Sequence, residues 1–171
     1  MIDSDQASDL ETRSHDEHHA ALRLWLRMLS CTQLIEQRVR AELRARWQTT
    51  LPRFDLMAQL ERAPEGLKMT ELAGRLMVTG GNVTAIVDQL EREGLVCRNP
   101  VSGDRRAWLI SLTAEGRRSF LKMAAEHERW IIEAFASLGE DELTTLHRLL
   151  GRVKAGIRAR AATTETRRKA A

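Results

Sequence analysis

Apolar residues recur at spacings of three and four through most of the chain, and one short stretch abandons that period. From His18 to Trp47, the residues Leu24, Met28, Cys31, Ile35, Val39 and Leu43 form one helical stripe. The stripe predicts a long helix, and its length calls for a partner beyond a small domain, in the first place another subunit. Leu51-Pro52 breaks the pattern. A second helix is read over 53–62, carrying Phe54, Met57, Ala58 and Leu60, and Pro64-Glu65-Gly66 ends it. Thr70 is read as the N-cap of a third helix, with Glu71 in its first turn and Leu72, Ala73 and Leu76 on its inner side. A turn at 77–80 leads to a fourth helix over 81–93, where Val83, Ile86, Val87 and Leu90 fall at i, i+3, i+4 and i+7. Gly94 stops it.

The period changes after Gly94. Leu95–Arg98 and Trp108–Leu112 are short apolar runs around a polar segment of Asn, Pro, Ser and Gly that ends in Asp104-Arg105-Arg106. This reads as a β-hairpin with arginines at its tip. The helical period then resumes. Thr113 is read as the N-cap of a fifth helix over 114–136. Glu140, Asp141 and Glu142 open a sixth, with Leu143, Leu146, Leu150, Val153 and Ile157 on one face. No periodicity extends past Arg158.

The predicted fold is mainly α with a small β-hairpin wing: a winged helix-turn-helix plus N- and C-terminal dimerisation helices. The predicted organisation is an acidic, disordered segment (1–17), an N-terminal dimerisation helix (18–50), a DNA-binding lobe (51–113), C-terminal dimerisation helices (114–158) and a basic tail (159–171). The outer helices carry apolar faces that the small lobe cannot cover, so a two-fold homodimer is expected.

Charge sharpens this picture. The net charge is only +3, but residues 1–19 hold six acids and one base, whereas 151–171 hold seven bases and one acid. A basic end suits a polyanion partner, and its plain alternative is a solvated tail. Two distant cysteines, Cys31 and Cys97, make no disulfide framework, and with an acidic N-terminus that lacks an apolar run no signal sequence is expected. No stretch reaches membrane-spanning length, so no membrane partner and a cytoplasmic location with reduced thiols are expected.

The second helix of a helix-turn-helix pair enters the major groove, where each base pair presents a distinct pattern. Here its outer face offers Thr79, Gly80, Gly81, Asn82, Thr84, Ala85, Asp88 and Gln89. Asn82 suits an adenine edge and Thr84 a thymine methyl or a phosphate. Gly80 and Gly81 let backbone amides approach phosphates. The plainer alternative makes Thr79 an N-cap and the glycines a turn. At the wing, Arg105 and Arg106 suit backbone or minor-groove contact. Asp104 by itself repels phosphate, so its use is to orient a guanidinium, that of Arg106. The alternative is a surface salt bridge in a loop.

With these residues in place, the segment from Met69 to Arg118 resembles the core of the MarR family of bacterial regulators. Asp104 and Arg106 match the family's Asp-x-Arg wing, and Leu112, Thr113 and Gly116 match its Leu-Thr-x-x-Gly sequence. The resemblance covers about residues 20–157, and the turn Thr79-Gly80-Gly81 is richer in glycine than in many members. It implies an obligate homodimer on a double-stranded, pseudo-palindromic operator, usually as a repressor relieved by a small molecule. It also implies that Arg106 enters the minor groove with Asp104 holding it.

In that family, effectors often bind between the DNA-binding lobe and the dimer helices, and many are aromatic acids. The expected wall here is Trp25, Arg46, Trp47, Arg53 and Phe54, flat apolar surface beside cations for a carboxylate. The run TTLPRFDLMAQL further resembles members that control aromatic-acid catabolism, some of which answer to a CoA thioester. Packing is the ordinary use of such aromatics. A redox regulator acting through Cys31 is the rival; the chain has no tyrosine, unlike the peroxide-sensing members, and Cys31 on the stripe is expected to be buried and inert. His15, His18 and His19 form no closed metal-ligand set, and His127 and His147 are expected at the surface. No nucleophile–base pair, cofactor loop or metal motif is visible, so neither an enzyme nor a cofactor is expected. The remaining alternative is a sequence-neutral DNA-binding scaffold that uses the basic tail.

Overall fold

The structure, a computed structural model, describes residues 20–76, 80–101 and 104–170. The acidic segment at 1–17 lies outside the described residues. Among the described residues, six helices and three strands follow in the order α1 (Ala20–Trp47), α2 (Leu51–Glu61), β1 (Leu67–Lys68), α3 (Met69–Leu76), α4 (Gly80–Arg92), β2 (Val96–Val101), β3 (Asp104–Leu112), α5 (Ala114–Ala134) and α6 (Glu140–Ala170). The chain divides into two compact units, 1–129 and 130–171.

In the first unit, α2, α3 and α4 pack with a three-stranded antiparallel sheet of order β1-β3-β2. Leu56, Met57, Leu60, Leu72, Val83, Val87, Leu90, Val96 and Ile110 form its core and are almost fully buried. α4 buries the four residues its period marked, Val83, Ile86, Val87 and Leu90. It ends in a Schellman turn: Gly94 has φ +71, its N–H reaches the Glu91 carbonyl at 2.9 Å, and that of Leu95 reaches the Leu90 carbonyl at 2.9 Å.

Local chemistry moved two boundaries. Pro52 does not precede α2; it sits in the first turn, where no intrahelical N–H is missed. Thr70 is not the cap of α3. The chain leaves β1 directly into the helix, and the Glu71 carboxylate accepts the Lys68 N–H at 2.8 Å, so Lys68 holds the cap position. β1 itself was absent from the sequence reading, since two residues carry no periodicity. Leu67 pairs with Ile110 and Lys68 with Leu109, which makes β3 the central strand.

The root of the hairpin is locked by Thr113 and Gly116. The Thr113 hydroxyl donates to the Gly94 carbonyl (2.7 Å) and accepts the Gly116 N–H (2.9 Å), the N-cap expected of it. A Cβ on Gly116 would lie 1.8 Å from the Leu95 carbonyl oxygen. The Leu-Thr-x-x-Gly sequence is therefore a close backbone crossing between the end of α4 and the start of α5.

α1 buries only Val39 and Leu43; Leu22, Leu24, Trp25, Leu29 and Leu34 are exposed. Cys31 is exposed as well, against the expectation of a buried thiol, because among the described residues nothing covers that part of the stripe. In the second unit, the end of α5 leads to α6, whose stripe of Leu143, Leu146, Leu150, Val153 and Ile157 is exposed throughout. α6 continues to Ala170, beyond the last stripe residue, so the basic end is helical although it lacks an apolar period.

Candidate nucleic-acid interface

α4 presents Asn82, Thr84, Ala85 and Gln89 to solvent, while its opposite side is sealed in the core. Gly80 and Gly81 form its first residues, and Thr79 lies outside the described residues. Asp88, read as part of the open face, is instead engaged from the wing. Arg98 on β2 pairs with both Asp88 and Glu91 of α4. The bond to Asp88 raises the pKa of the Arg98 guanidinium above its ordinary value, with the nearby Glu91 charge adding to it. One cation thus ties the wing to α4 and neutralises two carboxylates that would repel phosphate.

The β2–β3 ladder is regular from Val96↔Leu112 to Pro100↔Trp108 and then shifts, with Val101 opposite Asp104. Arg105, Arg106 and Ala107 fall between those two positions. The arginines therefore follow the tip on an irregular stretch of β3 and do not occupy the tip itself. Such a bulge re-aims side chains and increases twist. The side chains of Asp104, Arg105 and Arg106 lie outside what the structure describes, so the proposed Asp104–Arg106 pair stays an expectation.

The five residues read as an effector wall are not gathered. Phe54 is buried against Phe120 (ring centroids 5.4 Å apart) and His127 (4.9 Å). It opens on a cleft of about 420 Å³ lined by Asp55, Arg62, Arg75, Phe120 and His127. Trp47 and Arg53 line a separate cleft of about 290 Å³ with Gln48, Thr49, Glu93 and Ser119. Successive residues on a helix point about 100° apart, so Arg53 and Phe54 serve different sides of α2. Arg53 makes a two-pronged pair with Glu93, and the Trp47 indole N–H donates to Glu126 at 3.2 Å. Arg46 is exposed and pairs with Glu42 along α1 at 2.6 Å. Trp25 is exposed, roughly 33 Å from Trp47 at the rise of an α-helix.

The sequence reading missed His127, assigned to the surface, and Asp55, Arg62 and Arg75. Burial lowers the His127 pKa from its ordinary value, partly opposed by Asp55. Burial likewise raises the Asp55 pKa, against the pull of His127; Glu36 adds to the rise and Arg40 opposes it. The available signal was the position of Phe54 and Asp55 on a predicted helix, but a cleft shared by three helices has no single period. Among the described residues no cluster of His, Cys, Asp or Glu fits a metal ion.

The sequence matches the MarR family over residues 49–108. PecS of Dickeya dadantii, an HTH-type transcriptional regulator, is 34% identical over 131 residues, which is 74% of this chain and 77% of PecS. BadR of Rhodopseudomonas palustris, a transcriptional activatory protein, is 29% identical over 134 residues, 76% of each chain. The fold is shared with a mutant MarR of E. coli complexed with operator DNA, at TM-score 0.69 and 24% identity over 81% of this chain and 99% of that one.

Proposed function

The chain belongs to the MarR family of DNA-binding transcriptional regulators, and from that premise we propose that it works as a cytoplasmic homodimeric repressor. It grips a pseudo-palindromic operator and is released by a small aromatic acid or its CoA thioester. The observation that carries the DNA-binding part is the pairing of α4 with the wing: one helix with a polar outer face, bracketed by Arg98 to a hairpin that bears Arg105 and Arg106. Asn82 and Thr84 read base edges or phosphates, Gly80 and Gly81 approach the backbone, and Arg106 enters the minor groove. The exposed apolar residues in the first half of α1 and the stripe of α6 up to Ile157 support the homodimer, since such continuous apolar surface marks an interaction site. No described helix is long and apolar enough to cross a membrane.

The effector site is the Phe54 cleft, which replaces the wall read from sequence. Phe54, Phe120 and His127 supply flat surface, and Arg62 and Arg75 supply positive charge for a carboxylate. The test is binding to the DNA upstream of the chain's own gene, titrated with aromatic acids and their thioesters. Release by one class, lost in Arg75→Ala, is the expected result; binding insensitive to all of them sinks the effector reading. Arg106→Ala should weaken operator binding strongly while leaving the dimer intact, and unchanged binding would sink the wing reading. A relative named as an activatory protein makes the direction of control the first quantity to measure in the cell.

The exposure of Cys31 favours one second reading, a redox-responsive regulator. Peroxide should then release DNA from the parent and not from Cys31→Ser.

A further inference from the structure

Within the lobe at 48–112, one large apolar side chain is exposed among the described residues: Trp108, 45% accessible. The other exposed large apolar side chains lie on α1, α5 and α6. Tryptophan is enriched at interfaces because it combines a large apolar ring with an N–H donor, and this indole stands in water on the proposed DNA-reading element.

Its position says which partner. Trp108 is the last residue of β3 in regular register with β2, opposite Pro100. Pro100 has no N–H, sits on an edge strand and is itself exposed. Directly beyond this pair the register shifts, and Arg105 and Arg106 lie in the irregular stretch. The indole therefore stands on rigid ladder at the shoulder of the segment that carries the arginines. Neither the Phe54 cleft nor the Trp47 cleft reaches it. A groove wall in DNA offers what an indole satisfies: apolar deoxyribose faces for the ring and phosphate oxygens for its N–H.

We propose that Trp108 contacts DNA directly, packing its indole against the sugar–phosphate wall of the groove that the wing arginines enter. The contact is apolar and tolerant of sequence. It sets how deeply the wing seats and leaves base reading to α4. It rests on the reading of Arg106 as the groove-entering residue.

The test uses the full chain with Trp108→Ala, Trp108→Phe and Arg106→Ala, measured for affinity to an operator duplex across a salt series. Trp108→Ala should bind roughly tenfold more weakly, the scale of one lost apolar contact. Its salt dependence should stay at the parent slope, because no charge is removed. Trp108→Phe should fall between the two. Arg106→Ala should lower the slope by about one. Tryptophan fluorescence gives an independent readout: saturating duplex should perturb the parent signal, and Trp108→Phe should lose that component. If Trp108→Ala binds like the parent while Arg106→Ala binds weakly, the indole contact is wrong and the wing reading stands. If Arg106→Ala is silent, the wing reading itself fails. If Trp108→Ala instead changes the oligomeric mass or melting temperature while the duplex-induced signal persists in Trp108→Phe, the indole serves a second copy or the fold, and the proposal is overturned.

Discussion

The wing root and the long helices treat apolar surface in opposite ways. At the root, every device is closed within the chain. Thr113 caps α5 and ties it to Gly94, Gly116 admits the Leu95 carbonyl, and Arg98 joins β2 to α4. On α1 and α6, long stripes of leucine, isoleucine and valine stay in water. The first region is specified by short-range contacts and can be correct in a single copy. The second leaves apolar surface that, under the proposed homodimer, a second copy covers. Under the proposed homodimer, the spacing of two wings on DNA belongs to the open region and the shape of each wing to the closed one.

The largest break in the closed region is Gly116→Ala. Its Cβ would meet the Leu95 carbonyl oxygen at 1.8 Å, so backbone must move. A loss of roughly 3 kcal/mol is expected, read as a lower denaturation midpoint together with lost operator binding. In the open region, Leu146→Glu with Leu150→Glu should leave the helical circular-dichroism signal of each subunit and halve the mass in solution. Operator affinity should drop at least about 100-fold, because one half-site is then held without the other. A variant that keeps its mass would remove α6 from the interface.

Arg98→Gln should have a smaller effect, since its pairs are partly exposed: about 1 kcal/mol of stability and several-fold in operator affinity. Adding Asp88→Asn and Glu91→Gln should restore much of the DNA binding by removing the stranded charges. A triple variant no better than the single one would mean that Arg98 acts by shape alone. The smallest effect concerns pH. The folded pKa of His127 lies below its unfolded value, so acidification through about 6.5 protonates the unfolded chain first and lowers stability. Asp55 has the opposite sign: its folded pKa is raised, so stability returns as the pH falls further toward the carboxylate range. Melting temperatures between pH 7.5 and 5 should fall in the parent and flatten in His127→Phe.

The buried face of α4, the cap at Thr113, the stop at Gly94 and the hairpin were all legible in sequence, because each is a local pattern of period, cap or turn. The Phe54 cleft was not. Phe54 was picked out, but of its companions Arg75 comes from α3 and Phe120 and His127 from α5, while Arg62 lies just past the end of α2. Trp25 and Arg46, chosen for residue type and for their place on the first helix, are exposed, and Arg46 pairs with Glu42. Asp88 was assigned to the open face of α4 by helical phase, whereas its partner sits ten residues on, in a strand.

By itself, the sequence determined the order of the helices and the hairpin, the inward face of each short helix and the presence of two apolar stripes too long for one small lobe. These follow from periodicity and local hydrogen bonding, which act over a few residues. Tertiary structure decided what distant residues share. It put one cation between wing and helix, made β3 the central strand through a two-residue partner, separated Arg53 from Phe54, and left Trp108 exposed beside the arginines. Those outcomes depend on how elements pack against one another, and no local pattern encodes that.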